Sequence, residues 1–304
     1  MHEHSHGAHV RPENAQGKTL LLTIVLNLII PVCQIIGGLA AGSMAVVSDA
    51  VHNFSDCAGL LLAYGAYKLG EKGPSTAYSF GFGRAEVLAA LINTAILVGA
   101  CLFLLAEAFT RLKNPQPVSG FLVVILAGVG LVGNGVSVVL LKKDASDNLN
   151  IRGAFLHMLG DLLTSAAVLL NGAVLMLWPA YWLDPLLTVV IVAFIIKSGW
   201  GVAREALRIV MEGTPEDLDL VEVQRAMEEI EGVDGAHHLH AWTVGSQGAS
   251  FSCHVLVSDR LLSETAPLAE TLKDLLHARF NIDHATLEFE SASCENADLL
   301  CPRR

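Results

Sequence analysis

Long unbroken runs of apolar residues separated by short polar breaks fill the first two thirds of the chain, and then the pattern changes. A helix needs about 20 residues to cross a bilayer. Six runs reach that length, at residues 19–40, 44–69, 85–109, 120–141, 151–178 and 182–202. The breaks carry turn chemistry of their own: GLAAGS follows the first run, NPQP the third, and WPAYWLDP the fifth, where Trp and Tyr suit a membrane interface. Beyond Glu212 the apolar positions recur at shorter periods. DLDLVEVQRAMEEIEG has helical spacing, HHLHAWTVG and ASFSCHVLVS read as two strands around a Gly-containing turn, ETAPLAETLKDLLHARF as a second helix, and HATLEFES as a third strand. An α-β-β-α-β order predicts a small two-layer domain with helices on one face of a sheet. The expected fold is an α-helical membrane protein of six transmembrane helices with a C-terminal α+β domain. Its expected parts are a polar tail at 1–18, a transmembrane domain at 19–211, the soluble domain at 212–291 and a short tail at 292–304.

Composition supports that division. The hydrophobic fraction is 53%, more than a water-soluble chain needs to fill a core. From Glu212 onward 18 acids face 6 bases, so the formal net charge of -11 belongs to the soluble domain. That sign repels a phosphate backbone, and no nucleic-acid partner is expected. Lys68, Lys72 and Arg84 follow the second run, Lys142, Lys143 and Arg152 the fourth, and Arg204 and Arg208 end the sixth, whereas the opposite side has only Arg111 and Lys113. The positive-inside bias therefore predicts a multi-pass protein with both termini in the cytoplasm, in the cell's inner (plasma) membrane. MHEHSHGAHVRPENAQGK lacks the basic start and apolar core of a signal peptide and reads as a tail. The six cysteines show no disulfide spacing and read as reduced thiols.

Two copies of His-x-x-x-Asp interrupt the apolar runs: His52 with Asp56 in the second, and His157 with Asp161 in the fifth. Residues four apart share a helix face. Ionisable groups at membrane depth cost about 3 kcal/mol each even on the insertion scale, so four of them call for a function. Two imidazoles and two carboxylates form a closed tetrahedral site for a divalent ion such as Zn2+. Asp49, three residues before His52, lies on the same stripe and is a candidate partner that orients the His52 ring. The plainer alternative is a set of interhelical hydrogen bonds.

SDAVHNFSD, YSFGFGRAE, HMLGD and the HHLHAW, SCHV and HATLEFE segments, in that order, resemble the cation diffusion facilitator family of divalent-metal transporters over nearly the whole chain. The resemblance implies that His52, Asp56, His157 and Asp161 form the transport site, and a His at position 52 is similar to the zinc-preferring branch. It implies a homodimer whose cytoplasmic domain is ferredoxin-like and binds zinc. His237, His254 and His284 match zinc-binding positions of that domain. Glu288 and Glu290 alternate along the last strand and either could complete the site; Glu290 is favoured, with Glu288 expected on the opposite face. His238, His240 and His277 are read as solvated histidines. Cys294 and Cys301 could join a further metal site, although their spacing is wider than a CxxC pair. Arg84 and Glu212 match positions that pair near the membrane surface in relatives. The family's loop ligands between the second and third runs have no counterpart, since EKGPSTAYSFGFGRAE contains no histidine.

These residues predict a metal efflux antiporter with metal ions, protons and the lipid bilayer as its partners. Zn2+ is the expected substrate and bound cofactor, with Cd2+, Co2+ and Ni2+ as alternative substrates. The chain carries no GxxxxGK[ST] for ATP, so protons are the expected counter-ion, released when metal takes the deprotonated imidazoles. It carries no HExxH either, and no enzyme activity is expected. His2, His4, His6 and His9 could capture metal loosely near the entrance. The competing class is a membrane-bound zinc sensor or receptor that moves no ion.

Overall fold

The computed structural model describes residues 28–142, 149–245, 248–292 and 298–300. Six helices come first: α1 (Leu28–Ala41), α2 (Met44–Gly70), α3 (Arg84–Lys113), α4 (Gly120–Lys142), α5 (Leu149–Leu177) and α6 (Leu183–Val210). The C-terminal part follows as α7 (Leu220–Glu228), β1 (Gly235–Trp242), β2 (Ala249–Leu256), α8 (Leu262–Phe280) and β3 (Ile282–Glu290), the α-β-β-α-β order its periodicity predicts. The sixth helix outruns its apolar stretch by one to two turns. Hydropathy marks the span, but Arg204, Glu205 and Arg208 are good helix formers, and nothing stops the helix before Gly213.

The chain divides into two compact units. One comprises the described residues up to Leu61 with Asn93–Gly199; the other comprises Leu62–Ile92 with the described residues from Trp200. Of the helices, α3, α4, α5 and α6 are long and apolar enough to cross a membrane, and α4 and α5 lie wholly in the first unit. The second helix has the length too, but Ser48, Asp49, His52, Asn53, Ser55 and Asp56 dilute its apolar character. Large apolar side chains point outward, among them Phe103 at 70% and Val139 at 73% exposure. Such a surface is stable against lipid and not against water. Inside, Val46, Cys101, Val123, Val168, Val192 and Ile195 form part of a buried core.

Small residues let the helices approach. A Cβ on Gly172 of α5 would lie 2.6 Å from Cγ1 of Val123 on α4, and one on Gly120 would lie 2.7 Å from the Gly172 carbonyl. Only glycine fits either place. The turn from α1 to α2 is held from three sides. Gly42 takes φ +72, Arg111 of α3 donates to its carbonyl at 2.6 Å, and the Ser119 amide donates to the Ala41 carbonyl at 2.8 Å. Asp184, fully buried at the start of α6, accepts from Ser43 Oγ and from the amides of Met44 and Ala45, capping α2 from another helix. Asn171 of α5 donates to the same carboxylate at 3.0 Å.

In the second unit the sheet order is β1-β2-β3, with β1 antiparallel and β3 parallel to β2. The parallel pair is joined through α8, as a crossover requires. Phe251, Leu239, Val255, Leu272, Leu276 and Met227 close the core between sheet and helices. Asp219 caps α7 by accepting from the Val221 amide at 2.8 Å, and Gln224 ties that helix to β1 by donating to the Ala236 carbonyl at 2.7 Å. Asn281 ends α8 in the left-handed region at φ 53.

Candidate metal centres

One turn separates His52 from Asp56 on α2 and His157 from Asp161 on α5, so each helix presents one imidazole and one carboxylate on one face. The two faces meet. His52 Nε2 lies 3.3 Å from Asp161 Oδ1 and 3.8 Å from Asp56 Oδ2; His157 Nε2 lies 3.1 Å from Asp56 Oδ2 and 3.8 Å from Asp161 Oδ2. Ligand atoms about 2.0 Å from a tetrahedral zinc stand about 3.3 Å apart. The four side chains therefore already have the spacing a dication needs. Their rings cross at 89° with centroids 5.8 Å apart.

Asp161 is 1% exposed and among the described residues neither oxygen accepts a hydrogen bond, although the His52 ring is close. A buried carboxylate left so is costly unless a cation compensates it. Access is one-sided: the side chains of His52 and Asp161 are enclosed at 6% and 2%, those of Asp56 and His157 open at 31% and 41%. A cavity of about 140 Å3 adjoins the site, lined by Gln34, Asn53, Asp56, Asn134 and Asp161.

The expectation that Asp49 orients His52 is corrected. Asp49 accepts from Thr164 Oγ1 and Ser165 Oγ of α5, both at 2.9 Å, while Nδ1 of His52 is buried without a hydrogen-bond partner. The stripe is shared, but α5 brings two hydroxyls nearer than the ring one turn away. Asp49 thus fixes α5 against α2, and with it the approach of the two ligand pairs.

A second group lies in the second unit. His237 and His254 are directly opposite in the β1-β2 ladder, and Glu290 reaches both: Oε2 is 3.3 Å from His237 Nε2 and Oε1 is 2.6 Å from His254 Nδ1. Their donors fit a metal with three protein ligands. Glu288 is not on the opposite face. It lies 3.4 Å from His254 Nε2, because residues two apart on a strand share a face. His284 does not join them. It pairs with Ser250, four positions from His254, which at the rise of a strand is about 13 Å away. Its ring instead meets Phe80 edge-on at 5.8 Å. His277 pairs with Asp283 at 3.1 Å on the surface. Cys294, Cys301 and the histidines of the N-terminal tail lie outside the described residues. Cys253, next to His254 but facing the core, has its thiol pushed by burial up to about 12 and is inert. Arg84 and Glu212 do pair, Nη2 to Oε1 at 3.1 Å, both partly exposed.

Two family models match the chain in succession. The model of the cation efflux transmembrane domain matches residues 20–211, and that of the cation efflux protein cytoplasmic domain matches residues 215–292. The cadmium, cobalt and zinc/H(+)-K(+) antiporter of Bacillus subtilis is 33% identical over 97% of this chain and 96% of its own. The zinc transporter ZitB of Escherichia coli is 32% identical over 98% of this chain and 95% of its own. A solved structure, the metal-bound C-terminal domain of the CzcD transporter from Cuprividus metallidurans, is 37% identical, covers 24% of this chain and 99% of that one, and has a TM-score of 0.22.

Proposed function

Since the chain belongs to the cation efflux family, a family of multi-pass membrane transporters and not of enzymes, we propose that it exports divalent metal cations, Zn2+ foremost, in exchange for protons. The observation that carries this reading is the quartet of His52, Asp56, His157 and Asp161, at coordinating distances inside an apolar helix bundle. Two nitrogens and two oxygens replace the water a dication loses on leaving the cytosol. The relatives from Bacillus subtilis and Escherichia coli, whose names state metal transport, support the substrate class, and the former's name includes protons. Cd2+, Co2+ and Ni2+ suit the same donors, so selectivity follows affinity and availability together.

Moving a dication out against 100 mV costs roughly 4.6 kcal/mol before any concentration gradient, so an opposing gradient must drive it. The ligands themselves supply the coupling. Each imidazole binds metal only when neutral, so protons taken up from outside displace the metal there, and metal taken up inside displaces the protons. The site opens to one side at a time as the helices rock, with His157 and Asp56 on the open side in this conformation. Both termini face the cytoplasm of an inner (plasma) membrane. Two copies assemble through the cytoplasmic domains, where metal held by His237, His254 and Glu290 regulates export.

Proteoliposomes of the purified protein test this. Zinc flux is expected to rise with an imposed pH difference and to dissipate it; flux indifferent to that difference removes the proton exchange, and zinc binding with no flux makes the protein a sensor.

A further inference from the structure

Neighbouring residues of a β-strand send their side chains to opposite faces, so His237 and His238 belong on opposite sides of the sheet. They are not so placed. The ladder pairs His237 with His254 and next His240 with Ser252, three steps along β1 against two along β2. One extra residue is therefore bulged out of β1. His238 has φ +58, left-handed backbone that residues with a Cβ adopt infrequently. The amides of His238 and Leu239, which would alternate in a regular strand, both turn outward and donate to the carbonyls of Asp298 at 3.3 Å and Leu299 at 2.9 Å. The bulge thus has three signatures, in register, backbone angle and amide direction.

Its effect is to re-aim one imidazole. The His238 ring runs nearly parallel to that of His237, at 18° and 6.4 Å, and edge-on to that of His254 at 4.8 Å. The rings of His237 and His254 are 5.3 Å apart. Two imidazoles on one tetrahedral zinc stand about 5 Å apart, centre to centre, given a metal–nitrogen bond of about 2.0 Å. Both distances to His254 bracket that value. The distance between His237 and His238 is longer by about 1.4 Å, which a tilt of the half-buried His238 ring would close.

We infer that His238 is a direct ligand of the cytoplasmic metal, completing a four-donor site of His237, His238, His254 and Glu290 within one protomer. The inference rests on reading that cluster as a metal site. Three ligands leave a position for water and easy exchange; four close the site and hold the ion as a resident. The left-handed backbone at His238 is then the means by which one short segment of β1 delivers two adjacent donors to the same face.

The test uses the full-length protein carrying Asp161→Ala, which silences the membrane site and leaves the soluble one. His238→Asn is the informative change, because asparagine tolerates left-handed backbone and keeps the bulge. Loss of even an indirect partner of a metal costs about 10–100-fold in affinity, so His238→Asn is expected to raise the zinc Kd, read by competition with a chromophoric chelator, at least about tenfold. The visible band of bound Co2+ is expected to weaken as water replaces nitrogen. His240→Asn, on the same strand, is expected to change neither. A zinc Kd and cobalt spectrum unaltered by His238→Asn would overturn the inference. If the Asp161→Ala protein binds no metal, the cytoplasmic site falls and this inference with it, while the transport site stands or falls by flux through the unmodified protein.

Discussion

Asp161 is a buried carboxylate set between His52 and His157. It accepts no hydrogen bond among the described residues, and the two imidazoles it faces could bind a metal only when uncharged. Changing it to Asn keeps the shape and removes the charge. Breaking a buried charged set of this kind costs about 3 kcal/mol or more, roughly a hundredfold in affinity. Asp161→Asn is therefore expected to abolish zinc flux and lower zinc affinity at the membrane site by about that factor, measured by transport and by equilibrium binding in a His254→Ala background. Unchanged flux would remove Asp161 from the site. The role of Asp49 differs in kind, since its oxygens are engaged by Thr164 and Ser165 and its work is to hold two helices together. Spacing on one helix revealed which donors share a face, but not which of them another helix would claim.

At the scale of elements, the site depends on how α2 is placed. Its first turn has amides with no partner on its own helix, and Asp184 supplies one from α6 while also binding Ser43 and Asn171. Asp184→Ala would leave those groups buried without an acceptor, at about 1–3 kcal/mol each. Thermal unfolding in detergent is expected to shift down by several degrees for Asp184→Ala and by less for Asp184→Asn, which keeps one acceptor oxygen. An unshifted midpoint would mean that water replaces the cap. The close passage of α4 over α5 is of the same sort, fixed by Gly120 and Gly172 rather than by any polar bond. The surface pair of Arg84 and Glu212 contributes less, under about 1 kcal/mol at this exposure.

For the whole molecule, the function proposed above gives transport to the membrane quartet and sensing to the cytoplasmic group. His254→Ala, which removes the imidazole between Glu288 and Glu290, is expected to weaken the activation of export by cytosolic zinc while flux at saturating zinc persists. Flux measured against internal zinc in inverted vesicles checks this, and complete loss of flux would make the group structural instead. The acidic surface of that domain favours dications over anions near it, an effect that salt should reduce.

Chain order and period determined much of this protein by themselves. Runs of about 20 apolar residues dictate helices because nothing else satisfies a backbone in lipid, a four-residue interval dictates a shared face, and alternation dictates strands. Those rules are local, so the long apolar helices, the α-β-β-α-β order and the sharing of one helix face by each His-Asp pair could all be read from the sequence. Tertiary structure decided what no local period contains: that α5 claims Asp49, that the register of β3 carries His284 away from His254, that Glu288 shares the face of Glu290, and that a bulge turns His238 toward His254. Each depends on how one element lies against another, which the packing of the cores and their buried hydrogen bonds set together.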